Sequence, residues 1–140
     1  MKIVYTDMVG DLFHYGHVNA LEQSKSFGDY LIVGVHNDET VESYKRKPIM
    51  NMEQRVKVIE NCRYVDQVVI NAPLKITQEY IDTYKIDVVS ITDVRPDEQN
   101  EIFYSIPMKL GIIKKFNYTT TISTSGIIDH IKNRIANKTL

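Results

Sequence analysis

Two of the chain's four histidines, His14 and His17, stand three residues apart around Gly16. They close the run Thr6-Asp7-Met8-Val9-Gly10-Asp11-Leu12-Phe13-His14-Tyr15-Gly16-His17, which joins a short strand pattern (2–6) to a helix pattern (17–27) ended by Gly28. A helix entrance presents unbonded N–H groups that favour anions. Imidazoles add donors there, and a glycine removes the side chain that would block close approach. Such a pocket suits the phosphates of a nucleotide and the charge that builds on a leaving pyrophosphate. The spacing is neither a GxGxxG dinucleotide loop nor a P-loop. Two other readings stay open at this point. One is a metal site, for which only Asp11 and distant residues offer further ligands. The other is a pair of unrelated surface histidines.

The elements that must position these residues alternate along the chain. YLIVGV (30–35) is a continuous apolar run, as in a strand buried on both faces. Residues 65–70, 87–91 and 112–116 also read as strands. Residues 51–62 read as a helix capped by Asn51, with Val56, Ile59 and Cys62 on one face. Further helices are predicted at 77–84 (opened by Thr77), at 98–109 (with Pro107 awkwardly inside) and at 123–135 (opened by Ser and Thr). The alternation predicts an α/β domain spanning 1–140, a parallel sheet with helices on both faces. Ligands of such sheets lie outside the carboxyl ends of the strands. The loops after Tyr5, Val35, Ile91 and Phe116 are therefore where chemistry is expected.

Composition narrows the class. With Lys+Arg 17 against Asp+Glu 18, the formal net charge is −1, which argues against a general nucleic-acid or anionic-membrane binder. The one cysteine, Cys62, excludes an internal disulfide and fits a reducing compartment. No apolar run approaches the ~18–20 residues of a membrane span, and the N-terminus lacks a signal-peptide apolar segment. The expectation is a cytoplasmic protein.

DLFHYGH (11–17) after the first strand and ISTS (122–125) opening the last helix add a resemblance. The sequence resembles the HxGH nucleotidyltransferases, and within them the cytidylyltransferases acting on choline phosphate, ethanolamine phosphate and glycerol 3-phosphate. The likeness continues through YLIVGVHNDE (30–39), PIMNMEQR (48–55), CRYVDQVVINAP (62–73) and TISTSGII (121–128). It implies a Rossmann-like sheet, and transfer of CMP from CTP to a small phosphorylated alcohol with release of pyrophosphate. It further implies Mg²⁺ accompanying CTP, and a homodimer formed through the RYVDQVV region. His14 and His17 would stabilise the transition state, and Lys45 would close over the phosphates from SYKRKP (43–48). Thr6, Asp7, Asp11, Gly16, Arg55, Arg63, Thr92, Asp93, Ser123 and Thr124 would contact the nucleotide. Met8, Tyr15 and Arg63 would contact the acceptor. Arg55 and Arg63 lie eight apart, within about 80° on a helix, so both can face the site. Asp38 is a further acidic position, or a helix cap. His36 and His130 fall outside any motif and read as structural or solvent-facing.

Three departures from the family pattern stand out. Met8-Val9-Gly10 replaces Gly-x-Phe, Tyr118-Thr119-Thr120-Thr121 lacks the arginine usual before IST, and Thr92-Asp93-Val94-Arg95 replaces a glycine- or aspartate-rich loop. Arg95 and Lys115 are candidates to replace the arginine. Met8 and SYKR (43–46) also resemble cytidylyltransferases of phosphonate biosynthesis, so a hydroxyalkylphosphonate or polyol phosphate is a rival acceptor. Two further readings are an ATP-using adenylyltransferase and a non-catalytic nucleotide-binding or dimerisation module.

Overall fold

A computed structural model describes residues 1–140. The elements run β1 (Ile3–Met8), α1 (Tyr15–Ser26), β2 (Tyr30–Val35), α2 (Asp38–Glu42), α3 (Met52–Glu60), β3 (Gln67–Ile70), α4 (Gln78–Tyr84), β4 (Val88–Thr92), α5 (Asp97–Lys109), β5 (Ile113–Phe116) and α6 (Thr124–Ala136). The five strands form one parallel sheet in the order β3-β2-β1-β4-β5, as the α/β reading requires.

Alternate side chains of each strand go to opposite faces, and each face has its own core. Val4, Leu31, Val33, Val35 and Val88 pack with Leu21 of α1 and Ile59 of α3 on one side. Tyr5, Ile32, Val89 and Ile91 pack with Ile81 of α4 and Tyr104 of α5 on the other. Gly34 is needed on the second face: a Cβ there would stand 2.0 Å from the Tyr5 hydroxyl.

Several boundaries differ from the sequence reading, each for a local reason. Helix α1 starts at Tyr15, two residues early, because His14 caps it with its side chain. Helix α3 stops at Glu60, with Asn61 at its C-cap, so Cys62 and Arg63 lie beyond the helix. The short α2 is an addition; Asn37 caps it, and Asp38 is its first helical residue. Helix α5 contains Pro107 and bends at Tyr104 (φ −121°, ψ 21°). Pro107 has no N–H for the carbonyl of Phe103 four residues back. That carbonyl accepts instead from the Ile76 N–H at 3.0 Å, which anchors the bend to the loop after β3.

Candidate active site

The carboxyl ends of the strands open into a cavity of about 570 Å³. Thr6 to Val9, His36, Thr92 and Phe116 line it, so all four strand-end loops singled out from the sequence meet there. The charged side chains on its wall are Lys45, Arg46, Arg95 and Asp7. Three cations against one carboxylate suit a polyanionic ligand.

The two histidines form a reciprocal helix cap. The Gly16 N–H donates to His14 Nδ1 at 3.0 Å, and the His14 N–H donates to His17 Nδ1 at 3.1 Å. Both rings therefore use Nδ1 as an acceptor, and a neutral ring so held carries its proton on Nε2. The ring centroids are 4.0 Å apart, and Phe13 stacks on His17 at 5.3 Å. Gly16 makes this possible, because a Cβ there would lie 2.8 Å from His14 Cε1. Burial lowers the pKa of His14. Burial, with help from His14 and Lys45 and against Asp11, brings that of His17 down to about 4. At neutral pH the pair consists of two uncharged N–H donors.

Helix α6 brings its first turn to the same wall. Ser123 is its N-cap, with Oγ accepting from the Gly126 N–H at 3.0 Å. Thr124 Oγ1 donates to the Asp11 carbonyl at 2.8 Å and lies 3.4 Å from His14 Nε2. The basic loop after α2 reaches across to this helix, with Arg46 Nη1 donating to Ser125 Oγ at 3.1 Å. Lys45, next to it, is exposed; partial desolvation and the neighbouring Arg46 and Arg95 lower its pKa against the pull of Asp11.

On the β2 side, Asp7 anchors a polar network that the sequence reading did not assemble. Tyr104 Oη donates to Asp7 Oδ1 at 2.7 Å, and Arg95 Nη1 donates to Tyr104 Oη at 3.1 Å. His36 Nε2 lies 3.6 Å from Asp7 Oδ2, with side chains only 6% and 8% exposed. His36 Nδ1 is 3.0 Å from the Ala72 carbonyl, so Nδ1 is the donor. Burial disfavours charge on His36, but Asp7 and the Ala72 carbonyl outweigh it and the pKa rises; Lys45 opposes weakly. Position alone could have flagged His36, since it directly follows Val35 at the end of β2. Tyr104 carried only the hint that Pro107 had to bend its helix.

His14, Gly16, His17, Lys45, Thr6, Asp7, Met8, Thr92, Ser123 and Thr124 all line the cavity. Five residues expected there do not. Asp11 is 5% exposed, and its carboxylate accepts the Ile49 and Met50 N–H groups at 2.8 and 2.9 Å, so it holds the loop before α3. Arg55 is fully buried, donating to the Val9 and Met50 carbonyls and pairing with Asp38 at 2.7 Å. Arg63 is exposed in the turn after α3, beside the Tyr64 ring, and off the helix that was to aim it. Tyr15 is 50% exposed and donates to Thr121 Oγ1 at 2.8 Å. The Asp93 carboxylate accepts the Tyr118 N–H at 3.0 Å. Of the two candidates to replace the missing arginine, Arg95 is on the wall and Lys115 is not; Lys115 pairs with Asp97 at 3.3 Å.

Comparison with known proteins agrees with this geometry. The Cytidylyltransferase-like family matches residues 10–129. The chain is 44% identical over 135 residues to an ethanolamine-phosphate cytidylyltransferase of Dictyostelium discoideum, covering 93% of this chain and 38% of that protein. It is 39% identical over 131 residues to choline-phosphate cytidylyltransferase A of Rattus norvegicus, covering 91% of this chain and 36% of that one. The chain thus spans well under half the length of these relatives. Among solved structures, a lipopolysaccharide core biosynthesis protein from Thermoplasma volcanium GSS1 superposes with a TM-score of 0.67 at 27% identity, over 88% of this chain and 99% of that one. The chain belongs to the cytidylyltransferase-like family.

Proposed function

We propose that this domain transfers CMP from CTP to a small phosphorylated amino alcohol of the phosphoethanolamine type and releases pyrophosphate. The observation that carries the reading is the histidine cap. Its two Nδ1 atoms are occupied by main-chain N–H groups, and both rings line a cavity shared with Lys45, Arg95 and the first turn of α6. Donors fixed before the substrate arrives stabilise developing charge without reorganising. The names of the relatives supply the nucleotide and the type of acceptor.

The reaction is an in-line displacement. A phosphate oxygen of the acceptor attacks the α-phosphorus of CTP, and the bond to the bridging oxygen of pyrophosphate breaks. A phosphate dianion is already nucleophilic, so no side chain has to remove a proton. His14 and His17 donate hydrogen bonds to the phosphate oxygens that gain charge, while Lys45 and Arg95 hold the triphosphate. No cluster of three or more His, Cys, Asp or Glu side chains is present that would bind a metal on its own. Mg²⁺ would enter with CTP as part of the substrate, and would supply charge neutralisation on the triphosphate.

Pyrophosphate release from CTP and Mg²⁺ tests the reading, with phosphoethanolamine, phosphocholine, glycerol 3-phosphate and 2-hydroxyethylphosphonate as acceptors. Release with phosphoethanolamine is expected. Release with ATP in place of CTP, or CTP binding without turnover of any acceptor, overturns it. The proposed setting is the cytoplasm; no helix is long and apolar enough to cross a membrane. A homodimer is proposed through β3, which is an edge strand with Ile70 54% exposed. Sedimentation at the mass of a monomer at micromolar concentration would count against the dimer.

A further inference from the structure

The geometry points to His36 as the residue that makes the acceptor site select a primary ammonium group over a quaternary one. The inference rests on the transfer proposed above and names what that site discriminates.

The cavity floor beneath β1 and β2 holds two polar atoms that nothing else in the chain fully engages. Asp7 Oδ1 is taken by the Tyr104 hydroxyl, which leaves Oδ2 facing His36 Nε2 across 3.6 Å. That distance is too long for a good hydrogen bond between them. His36 Nδ1 is committed to the Ala72 carbonyl, so a neutral ring offers its Nε2 lone pair to the cavity. A primary ammonium has three N–H donors. Seated above this pair, on the cavity side and not between the two atoms, its nitrogen can donate to Asp7 Oδ2 and to His36 Nε2 together. With the cavity empty, Asp7 favours the protonated imidazole. An arriving ammonium takes over as counter-ion to Asp7, and a proton held on His36 Nε2 passes to solvent. Asp7 and Lys45 are the charged groups that act on the ring.

A trimethylammonium group finds the opposite conditions. It has no N–H, so it can donate to neither Asp7 Oδ2 nor His36 Nε2, and nothing offsets displacing the imidazole proton that Asp7 favours. Its usual receptor is a set of open aromatic faces. Two rings of this wall already carry cations: Arg95 lies over Tyr104, the ring bonded to Asp7, with its guanidinium carbon 5.6 Å from the ring centre, and Lys45 lies 5.4 Å from the centre of Tyr44. Leu74, also on this wall, has no π-face to offer.

Two variants and two acceptors test the assignment. His36→Asn keeps a donor near the Nδ1 position for the Ala72 carbonyl and removes the Nε2 acceptor. His36→Gln places an amide near Nε2. Wild type is expected to favour phosphoethanolamine over phosphocholine in kcat/KM by at least about 100-fold. His36→Asn should raise the KM for phosphoethanolamine by about 10-fold or more, leave the KM for CTP unchanged, and shrink the preference at least 10-fold. His36→Gln should retain part of the preference. If His36→Asn melts like wild type and keeps the full preference, the role of His36 is overturned while the transferase stands. A wild-type preference for phosphocholine overturns it likewise. If wild type turns over neither acceptor, the transferase reading falls and this inference falls with it.

Discussion

The His14 N–H donates to His17 Nδ1 at 3.1 Å, so the second imidazole is held by the main chain of the first. With the return bond from the Gly16 N–H to His14 Nδ1, the pair does for α1 what a hydroxyl and a carboxamide do in an ordinary capping box. One arrangement would thus serve both helix stability and the proposed catalysis, and substitutions can separate the two. Asn is a good N-cap, and Gln is a good partner three residues later. His14→Asn and His17→Gln should therefore melt within about 1 kcal/mol of wild type, since capping is retained. Both replace the imidazole, and with it the rigidly placed ring Nε2–H, by a flexible amide. Turnover should fall by roughly two to four orders of magnitude, about 3–5 kcal/mol of transition-state stabilisation. Thermal melts beside initial rates of pyrophosphate release make the comparison. Near-normal rates in His14→Asn would remove the imidazole from the chemistry.

The depressed pKa of His17 gives acid a specific effect. An unfolded chain binds the imidazole proton near its ordinary value of about 6.5, whereas folded His17 binds it at about 4. Between these values the unfolded state holds more protons, so stability falls as pH drops through the window and is fully kept above it. A bound triphosphate reverses the balance by favouring charged imidazoles. CTP should therefore stabilise the protein more at pH 5.5 than at pH 7.5, and its binding should take up protons. Thermal shifts at both pH values, with and without CTP, measure the first effect. Calorimetry in buffers of different ionisation heat measures the second. His17→Gln should lose part of each, which separates the side chain from protonation of CTP itself.

Much of this arrangement was legible in the sequence, and the parts that were not share a cause. The apolar run 30–35 and the turn from Thr6 to His17 sit in consecutive positions, so local pattern was enough to bring the ends of β1 and β2 and the start of α1 to the carboxyl end of the sheet. Arg55 and Arg63 looked alike on a helical wheel, but the helix ends between them at Glu60. Asp11 looked like a site carboxylate, yet two backbone N–H groups from residues 49 and 50 take it. The Asp7–Tyr104–Arg95 network joins residues as many as 97 positions apart, and it depends on a helix bend that no periodicity reports. Local signals placed the elements; long-range hydrogen bonds decided which polar groups remained free to act.

The two arginines that seemed equivalent should behave differently. Removing the Arg55 side chain leaves the Val9 and Met50 carbonyls and the Asp38 carboxylate without their donor. Arg55→Ala should cost about 3 kcal/mol, at the lower end for breaking a buried ion pair, because Asp38 remains partly hydrated. For a domain of this size that is a fall of roughly 10 °C in Tm. Arg63→Ala should change stability by less than about 0.5 kcal/mol, as expected of an exposed turn residue. Equal melting of the two variants would contradict the burial of Arg55.

Arg95 lines the cavity and lies against Tyr104, whereas Lys115 is paired with Asp97 outside it. The chain has threonines at 119–121, where the family resemblance implies an arginine, and Arg95 is the candidate on the cavity wall that would bind phosphate in its place. A guanidinium forms forked hydrogen bonds to phosphate oxygens that a neutral side chain cannot replace. Arg95→Ala should raise the KM for CTP by about 10- to 100-fold, corresponding to loss of about 1.5–3 kcal/mol from a charge-assisted hydrogen bond. Lys115→Ala should leave it within about twofold, since an exposed ion pair contributes little. Because Arg95 also steadies the Tyr104 hydroxyl, Tyr104→Phe provides the control. It removes the hydroxyl through which Arg95 reaches Asp7 and leaves the guanidinium in place. If Tyr104→Phe reproduced the whole KM effect, Arg95 would be positioning Asp7; an effect confined to Arg95→Ala would place the guanidinium on the nucleotide.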